Sequence, residues 1–161
     1  MDYTEVLIKI RKVIRSINLE SKKIQKEYGV SIPQVLCLNY LRQRPDFQAT
    51  QNQIREFLNL NSSTVTGIIG RLEKKGLIAR LPRYGDKRVS NIALTSQGDH
   101  LLQHIPPIMH ERMSEKLNKF SENEVEAVSK ALDLIISFLD IESIDASPMI
   151  TDEILDDDQN Q

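Results

Sequence analysis

Apolar residues recur at helical spacing along most of this chain, and the period is broken by glycines, prolines and capping side chains. Over residues 4–28, Val6, Ile10, Val13, Ile17, Ile24 and Tyr28 lie near one stripe, widened by Leu7 and Ile14, with Lys and Arg on the other faces. Gly29 ends that pattern. Ser31, an early Pro33 and Gln34 open a second helix with buried candidates Val35, Leu36, Leu38, Tyr40 and Leu41, and Pro45 stops it after Arg44. Thr50 with Gln53 forms a capping box for a helix of about two turns carrying Ile54, Phe57 and Leu58. Asn59-Leu60-Asn61 is a turn, because asparagine tolerates the left-handed backbone and can cap the next helix. After residue 95 one long helix is expected, through Leu101, Leu102, Ile105, Ile108, Met109, Met113, Leu117 and Phe120, kinked near residues 102–106 by Pro106-Pro107. Ser121 with Glu124 caps a last helix through Val125, Val128, Leu132, Ile135, Ile136 and Leu139.

The centre of the chain carries a different signature. Val65, Ile68, Ile69 and Leu72 fall at i, i+3, i+4 and i+7, while the opposite face holds Ser63, Thr66, Gly67, Gly70, Arg71 and Lys74. Two helical glycines cost roughly 1 kcal/mol each relative to alanine. They suit a face that something bulky must approach closely, and short hydroxyls with a basic end suit the major groove of DNA. An ordinary amphipathic helix with a small-residue face is the plainer alternative. The short capped helix, the turn and this second helix together form a helix-turn-helix. Lys75-Gly76 ends it, and residues 77–81 and 89–94 read as two strands joined by the basic, turn-rich loop Pro82-Arg83-Tyr84-Gly85-Asp86-Lys87-Arg88. A hairpin in that position is a wing, whose tip reaches phosphates or the neighbouring minor groove.

Ser63-Thr64-Val65-Thr66, then Arg71-Leu72-Glu73-Lys74-Lys75-Gly76-Leu77-Ile78, then Gly85-Asp86-Lys87-Arg88 and Leu94-Thr95-Ser96-Gln97-Gly98, succeed one another in an order that resembles the MarR family of winged-helix transcription regulators. The wing Asp-x-Arg and the Leu-Thr-x-x-Gly after it are the most specific pieces. The resemblance implies a homodimer that binds double-stranded DNA at an inverted repeat. It assigns Ser62, Ser63, Thr64 and Thr66 to the start of the recognition helix and Arg71 to a phosphate or base. In the wing, Arg88 is expected in the minor groove with Asp86 orienting the loop, and Lys87 and Arg83 add phosphate contacts. Without the family context, Asp86 and Arg88 would read as a surface ion pair worth at most about 1 kcal/mol.

Charge sharpens this picture. The net charge is only −2, yet residues 50–94 hold eight basic and three acidic residues, leaving +5 there. The rest of the chain, with 13 basic and 20 acidic residues, carries −7. Phosphate attraction needs a local patch, since fields fade over roughly 8–10 Å at cellular salt. There is no apolar run of membrane-spanning length and no leader pattern at the start, so a soluble, cytoplasmic protein without membrane contact is expected. The single cysteine excludes an internal disulfide framework.

Other candidate chemistry is sparse. Cys37 could act as a peroxide or electrophile sensor, but it sits in the apolar run of the second helix with no adjacent cation, whereas redox-sensing relatives carry theirs in the first helix; a buried structural thiol is the better reading. His100 and His104, at i and i+4, have the spacing of a metal-binding pair, with His110 and Glu111 further on, but no further histidine or cysteine completes a tetrahedral set. No metal and no cofactor is expected. The resemblance also implies a small-molecule effector pocket, for which Leu36, Tyr40, His104 and Ile108 are the candidates. No glycine-rich phosphate loop, Gly-x-Ser-x-Gly or His-Glu-x-x-His occurs, so an enzyme is not expected.

The resulting expectation is a mainly α chain with a small β-hairpin wing, a winged helix-turn-helix flanked by long N- and C-terminal dimerisation helices. Residues 1–30 form the N-terminal dimerisation helix, 31–95 the DNA-binding domain, 96–144 the C-terminal dimerisation helices and 145–161 a flexible acidic tail. The expected function is a dimeric, sequence-specific transcriptional repressor released by an effector. The alternative is a winged-helix module whose basic face meets an acidic protein partner.

Overall fold

The computed structural model describes residues 2–82 and 91–144. The described residues fall into two compact units that divide at Pro106 and Pro107. In the first, α1 (Thr4–Tyr28) and α2 (Ile32–Gln43) lead through a 3-10 turn (Pro45–Phe47) into β1 (Gln48–Thr50), α3 (Gln51–Leu58), α4 (Ser62–Lys74), β2 (Ile78–Arg80), β3 (Asn91–Leu94) and α5 (Ser96–His104). The second holds α6 (Met109–Leu117) and α7 (Glu122–Phe138). Among the described residues no helix is long and apolar enough to cross a membrane.

The helix boundaries arise from caps that the sequence advertises. Ser31 with Gln34, Thr50 with Gln53 and Ser121 with Glu124 all form reciprocal capping boxes. At the last of these, the backbone N–H of Ser121 and then its hydroxyl, both 2.9 Å from Glu124 Oε2, hold that carboxyl below its ordinary range. Asn61 caps α4 by accepting from the Thr64 N–H at 2.9 Å, and Asn59 takes the left-handed backbone (φ 54°) that closes α3. Gly76, at φ 73°, closes α4 in a Schellman arrangement: its N–H reaches the Glu73 carbonyl at 2.9 Å, and the Leu77 N–H reaches that of Leu72 at 3.0 Å.

The core of the first unit lies under α2. Val35, Leu38 and Leu41 of that helix meet Ile54 of α3, Val65, Ile68, Ile69 and Leu72 of α4, and Ile92 of β3, all of them buried. Cys37 belongs to the same core and is fully buried, and that burial pushes its thiol up from 9.0 to about 12. A thiol held protonated at neutral pH is inert, so the sensor reading of Cys37 is not supported.

The sheet holds a strand that the pattern did not announce. Its order is β1-β3-β2, antiparallel throughout, with Ala49 opposite Ile92 and Ala79 opposite Ala93. β1 is three residues long with one apolar position, too short to show a period of two. It exists because β3 supplies a partner edge. β2 is shorter than the expected 77–81, while β3 is strand throughout 91–94, with Val89 and Ser90 outside the described residues. Phe57 and Tyr40 do not sit in the core. Phe57 is 45% exposed and stacks on the half-buried Tyr40 ring at 4.4 Å, so the pair forms the rim between α2 and α3.

The long helix expected after residue 95 is broken outright. α5 ends at His104, Ile105 turns extended (ψ 124°), and α6 begins only at Met109. Two successive prolines remove two N–H donors and push the preceding residue out of the helical region, so the ladder stops where a single proline would only bend it.

A joint of three hydrogen bonds ties α4, β2 and α5 together. The Thr95 hydroxyl donates to the Gly76 carbonyl oxygen at 2.7 Å and accepts from the Gly98 N–H at 3.1 Å. The Thr95 N–H bonds the Leu77 carbonyl at 3.1 Å. Gly98 sits so close that a Cβ there would run into that same Leu77 carbonyl oxygen and come within 2.7 Å of Leu94 Cδ1. The Leu-Thr-x-x-Gly motif is therefore a packing requirement.

Gly98→Ala should destabilise the protein by about 2–3 kcal/mol through this overpacking, read as a fall of several degrees in thermal midpoint with near-native far-UV circular dichroism. Cys37 gives a pH signature. The unfolded thiol ionises near pH 9 while the folded one keeps its proton, so its contribution is intact below about pH 9 and lost as pH rises toward 12. Denaturant midpoints should fall more steeply between about pH 8 and pH 11 for the wild type than for Cys37→Ala, and parallel curves would refute the buried-thiol linkage.

Candidate nucleic-acid interface

One face of α4 is built to be approached. Its inner stripe, Val65, Ile68, Ile69 and Leu72, is wholly buried, which fixes the rotation of the helix about its axis and leaves Ser62, Ser63, Thr66 and the two glycines outward. Thr64 is half-buried. Gly70 has nothing within 4 Å of where a Cβ would sit, so that surface is open space. At Gly67 a Cβ would come within 3.1 Å of Arg71 Nη1, because the Arg71 side chain folds back along the helix and lies over the glycine. The small residue thus makes room for the guanidinium to lie along the face.

The hydroxyls on this face are already ordered. Ser63 Oγ donates to Asn61 Oδ1 at 2.8 Å, and Thr66 Oγ1 donates back to the Ser62 carbonyl at 2.8 Å while accepting from Gln51 Nε2 at 2.9 Å. Gln51, the first residue of α3, was absent from the sequence-derived site. No sequence signal links two residues fifteen positions apart on different helices. Asn52 and Arg55 are also linked across the exposed side of α3, at 3.1 and 3.0 Å.

The far end of α4 is anchored rather than free. Lys75 Nζ donates to the Gly29 carbonyl at 2.6 Å and to Gln34 Oε1 at 3.2 Å, and Gln34 Oε1 also accepts from the Ser31 N–H at 3.2 Å. The ammonium therefore joins the end of α1, the start of α2 and the end of α4 at one point. On the sheet side, Arg80 of β2 pairs with Glu73 of α4 at 3.1 Å.

Arg83, Asp86, Lys87 and Arg88 of the expected wing lie outside the described residues. Three of the four pocket candidates lie in the first unit. Leu36 is buried on α2, Tyr40 stacks on Phe57, and Ile108 belongs to the second unit. His104 lines a groove of about 420 Å³, whose other walls are Tyr28, Val30, Lys75, Leu77, Gln97, His100 and Leu101. The His100 and His104 rings are 4.6 Å apart and tilted, and His104 Nδ1 lies 2.8 Å from the His100 carbonyl oxygen. Among the described residues no group of three or more His, Cys, Asp and Glu side chains could hold a metal ion.

Comparisons with known proteins converge on one family. The MarR family model matches residues 30–90, the stretch from the end of α1 through the expected wing. The HTH-type transcriptional regulator MhqR of Bacillus subtilis is 30% identical over 128 residues, covering 80% of this chain and 87% of that protein. PecS of Dickeya dadantii, another HTH-type transcriptional regulator, is 34% identical over 103 residues, 63% of this chain and 62% of its own length. Among solved structures, the S. aureus MepR–DNA complex matches with a TM-score of 0.61 at 26% identity, over 85% of this chain and 98% of that one. With its helix-turn-helix, its central antiparallel strand and its Leu-Thr-x-x-Gly joint in place, the chain belongs to the MarR family of winged-helix transcriptional regulators.

Proposed function

We propose that the protein is a homodimeric, cytoplasmic repressor that lays α4 of each subunit in a major groove and its wing in the flanking minor groove. The two subunits would then read an inverted repeat with half-sites about one helical turn apart, roughly 10 bp. The observation that carries this reading is the outward face of α4, small and hydroxyl-rich with Arg71 laid along it, on a helix whose rotation is fixed by a fully buried inner stripe. A relative caught as a DNA complex, MepR, supports the same assignment. Ser62, Ser63, Thr64, Thr66 and Arg71 are the proposed contacts from the helix, and Arg83, Asp86, Lys87 and Arg88 those from the wing.

Dimerisation is proposed from surface that one chain leaves uncovered. On α1, Val6, Leu7 and Val13 are each more than half exposed; on α7, Leu132, Leu134 and Phe138 are too. Apolar helical faces of this size suit a two-fold partner. Effector release is the remaining part of the proposal. An occupant of the groove beside His104 and Lys75 would act on the end of α4 directly, because Lys75 holds that end to α1 and α2. It would be read as ligand-dependent loss of DNA affinity, a population shift between two dimer geometries.

The deciding measurement is an anisotropy titration against the intergenic DNA beside the protein's own gene, with random DNA of equal length as control. A preference of about a thousandfold or more is expected. In the same assay Arg88→Ala should weaken binding to every sequence and lower the salt slope by about one unit, and undiminished affinity would remove the wing assignment. Equal, weak binding to both DNAs would instead favour the protein-partner alternative. A second variant separates stability from function. Gly70→Ala adds a methyl where there is open space and relieves a helical glycine, so it should stabilise the free protein by about 0.5–1 kcal/mol. It should nevertheless lower operator affinity, since the methyl stands where DNA must approach; unchanged affinity would argue against close contact at this face.

A further inference from the structure

We propose that Gln51, at the start of α3, reads an adenine in each half-site, and that Thr66 of α4 is the positioning residue that fixes the direction of its amide. The inference rests on the reading that α4 occupies the major groove, and goes beyond it by naming a reader on a different helix and the base it takes.

Counting donors and acceptors fixes which way the amide points. A threonine hydroxyl has one proton and two lone pairs. The Thr66 proton goes to the Ser62 carbonyl oxygen, 2.8 Å away and one turn back. Toward Gln51 the hydroxyl is therefore only an acceptor, so the amide must present its nitrogen, and Nε2 lies 2.9 Å from Oγ1. An amide's oxygen and nitrogen are ordinarily hard to distinguish by shape, but this network admits only one orientation. With one N–H committed to Thr66, Gln51 keeps a second N–H donor and the Oε1 acceptor, and no further partner of its side chain occurs among the described residues.

That remaining pair matches one base edge. Adenine shows the N7 acceptor beside the N6 amino donor in the major groove, the complement of an amide. Guanine shows two acceptors there, N7 and O6, and would set O6 against Oε1. Two hydroxyl protons on the same face are already committed: that of Ser63 goes to Asn61, and that of Thr66 is turned inward. Gln51 is half-buried, so its stem is placed by the fold while its head sits at the exposed face. The lack of bulk at Gly70, with nothing within 4 Å of where a Cβ would sit, leaves the face open to a close approach by DNA.

The test is selection from a random duplex pool with the full chain, comparing wild type, Gln51→Ala, Thr66→Val and the double variant, after thermal melts show all four folded. The wild type should select half-sites containing an adenine position at which Gln51→Ala loses about tenfold of discrimination, with the other positions unchanged. Thr66→Val should blur that same position more than any other, and the double variant should lose no more discrimination there than Gln51→Ala alone. A Gln51→Ala variant with the full wild-type preference overturns the proposal, as does one that weakens all sequences equally, which is the mark of a phosphate contact. A wild type that selects no sequence at all removes the groove reading, and this inference with it.

Discussion

The Leu77 carbonyl is the point on which the helix-turn-helix and its sheet depend. It accepts from the Thr95 N–H, and Gly98 must lie against it without a side chain. Through the Thr95 hydroxyl, the same joint holds the Gly76 carbonyl at the end of α4 and the first turn of α5. The last turn of the recognition helix, the first strand of the hairpin and the helix leaving the domain are thereby fixed to one another within a few residues. Lys75 extends the joint to the other side by holding the carbonyl of Gly29 and the buried amide of Gln34. A helix that must present a polar face in a defined direction is thus pinned at its C-terminal end from two sides, while its inner stripe fixes its rotation.

A face composed of small residues makes sense on such a support. Glycines in a helix weaken it by an amount the buried stripe readily covers, and they lower the surface so that longer side chains from elsewhere can work across it. Arg71 does so from within α4, lying over Gly67, and Gln51 does so from α3 through Thr66. The chemistry of the face is thus set as much by side chains crossing it as by those rising from it.

The surface left apolar on α1 and α7 and the segregation of charge address the same requirement from different directions. A protein of net charge −2 approaches phosphate only if its positive residues are gathered on one part of the chain, and residues 50–94 gather them. The exposed valines, leucines and phenylalanine of the two helices are unfavourable in water on one chain alone, which is the ground for the proposed pairing of two copies.

Local elements were legible in the chain. Capping boxes at Ser31, Thr50 and Ser121, the left-handed Asn59 and Gly76, and the i, i+3, i+4, i+7 stripe of α4 are written in neighbouring residues, because caps and helical faces depend on contacts three or four positions apart. The burial of Cys37 could be read for the same reason, from the apolar run around it. Packing between distant segments settled the rest. β1 is a strand only because β3 lies beside it, and Phe57 leaves the core because Tyr40 offers it a ring to stack on. The double proline ended a helix that periodicity alone would have continued. The Gln51–Thr66 pair and the Lys75 anchor join residues 15 to 46 positions apart, and the geometry that brings such residues within 3 Å belongs to the packed domain rather than to any window of the chain.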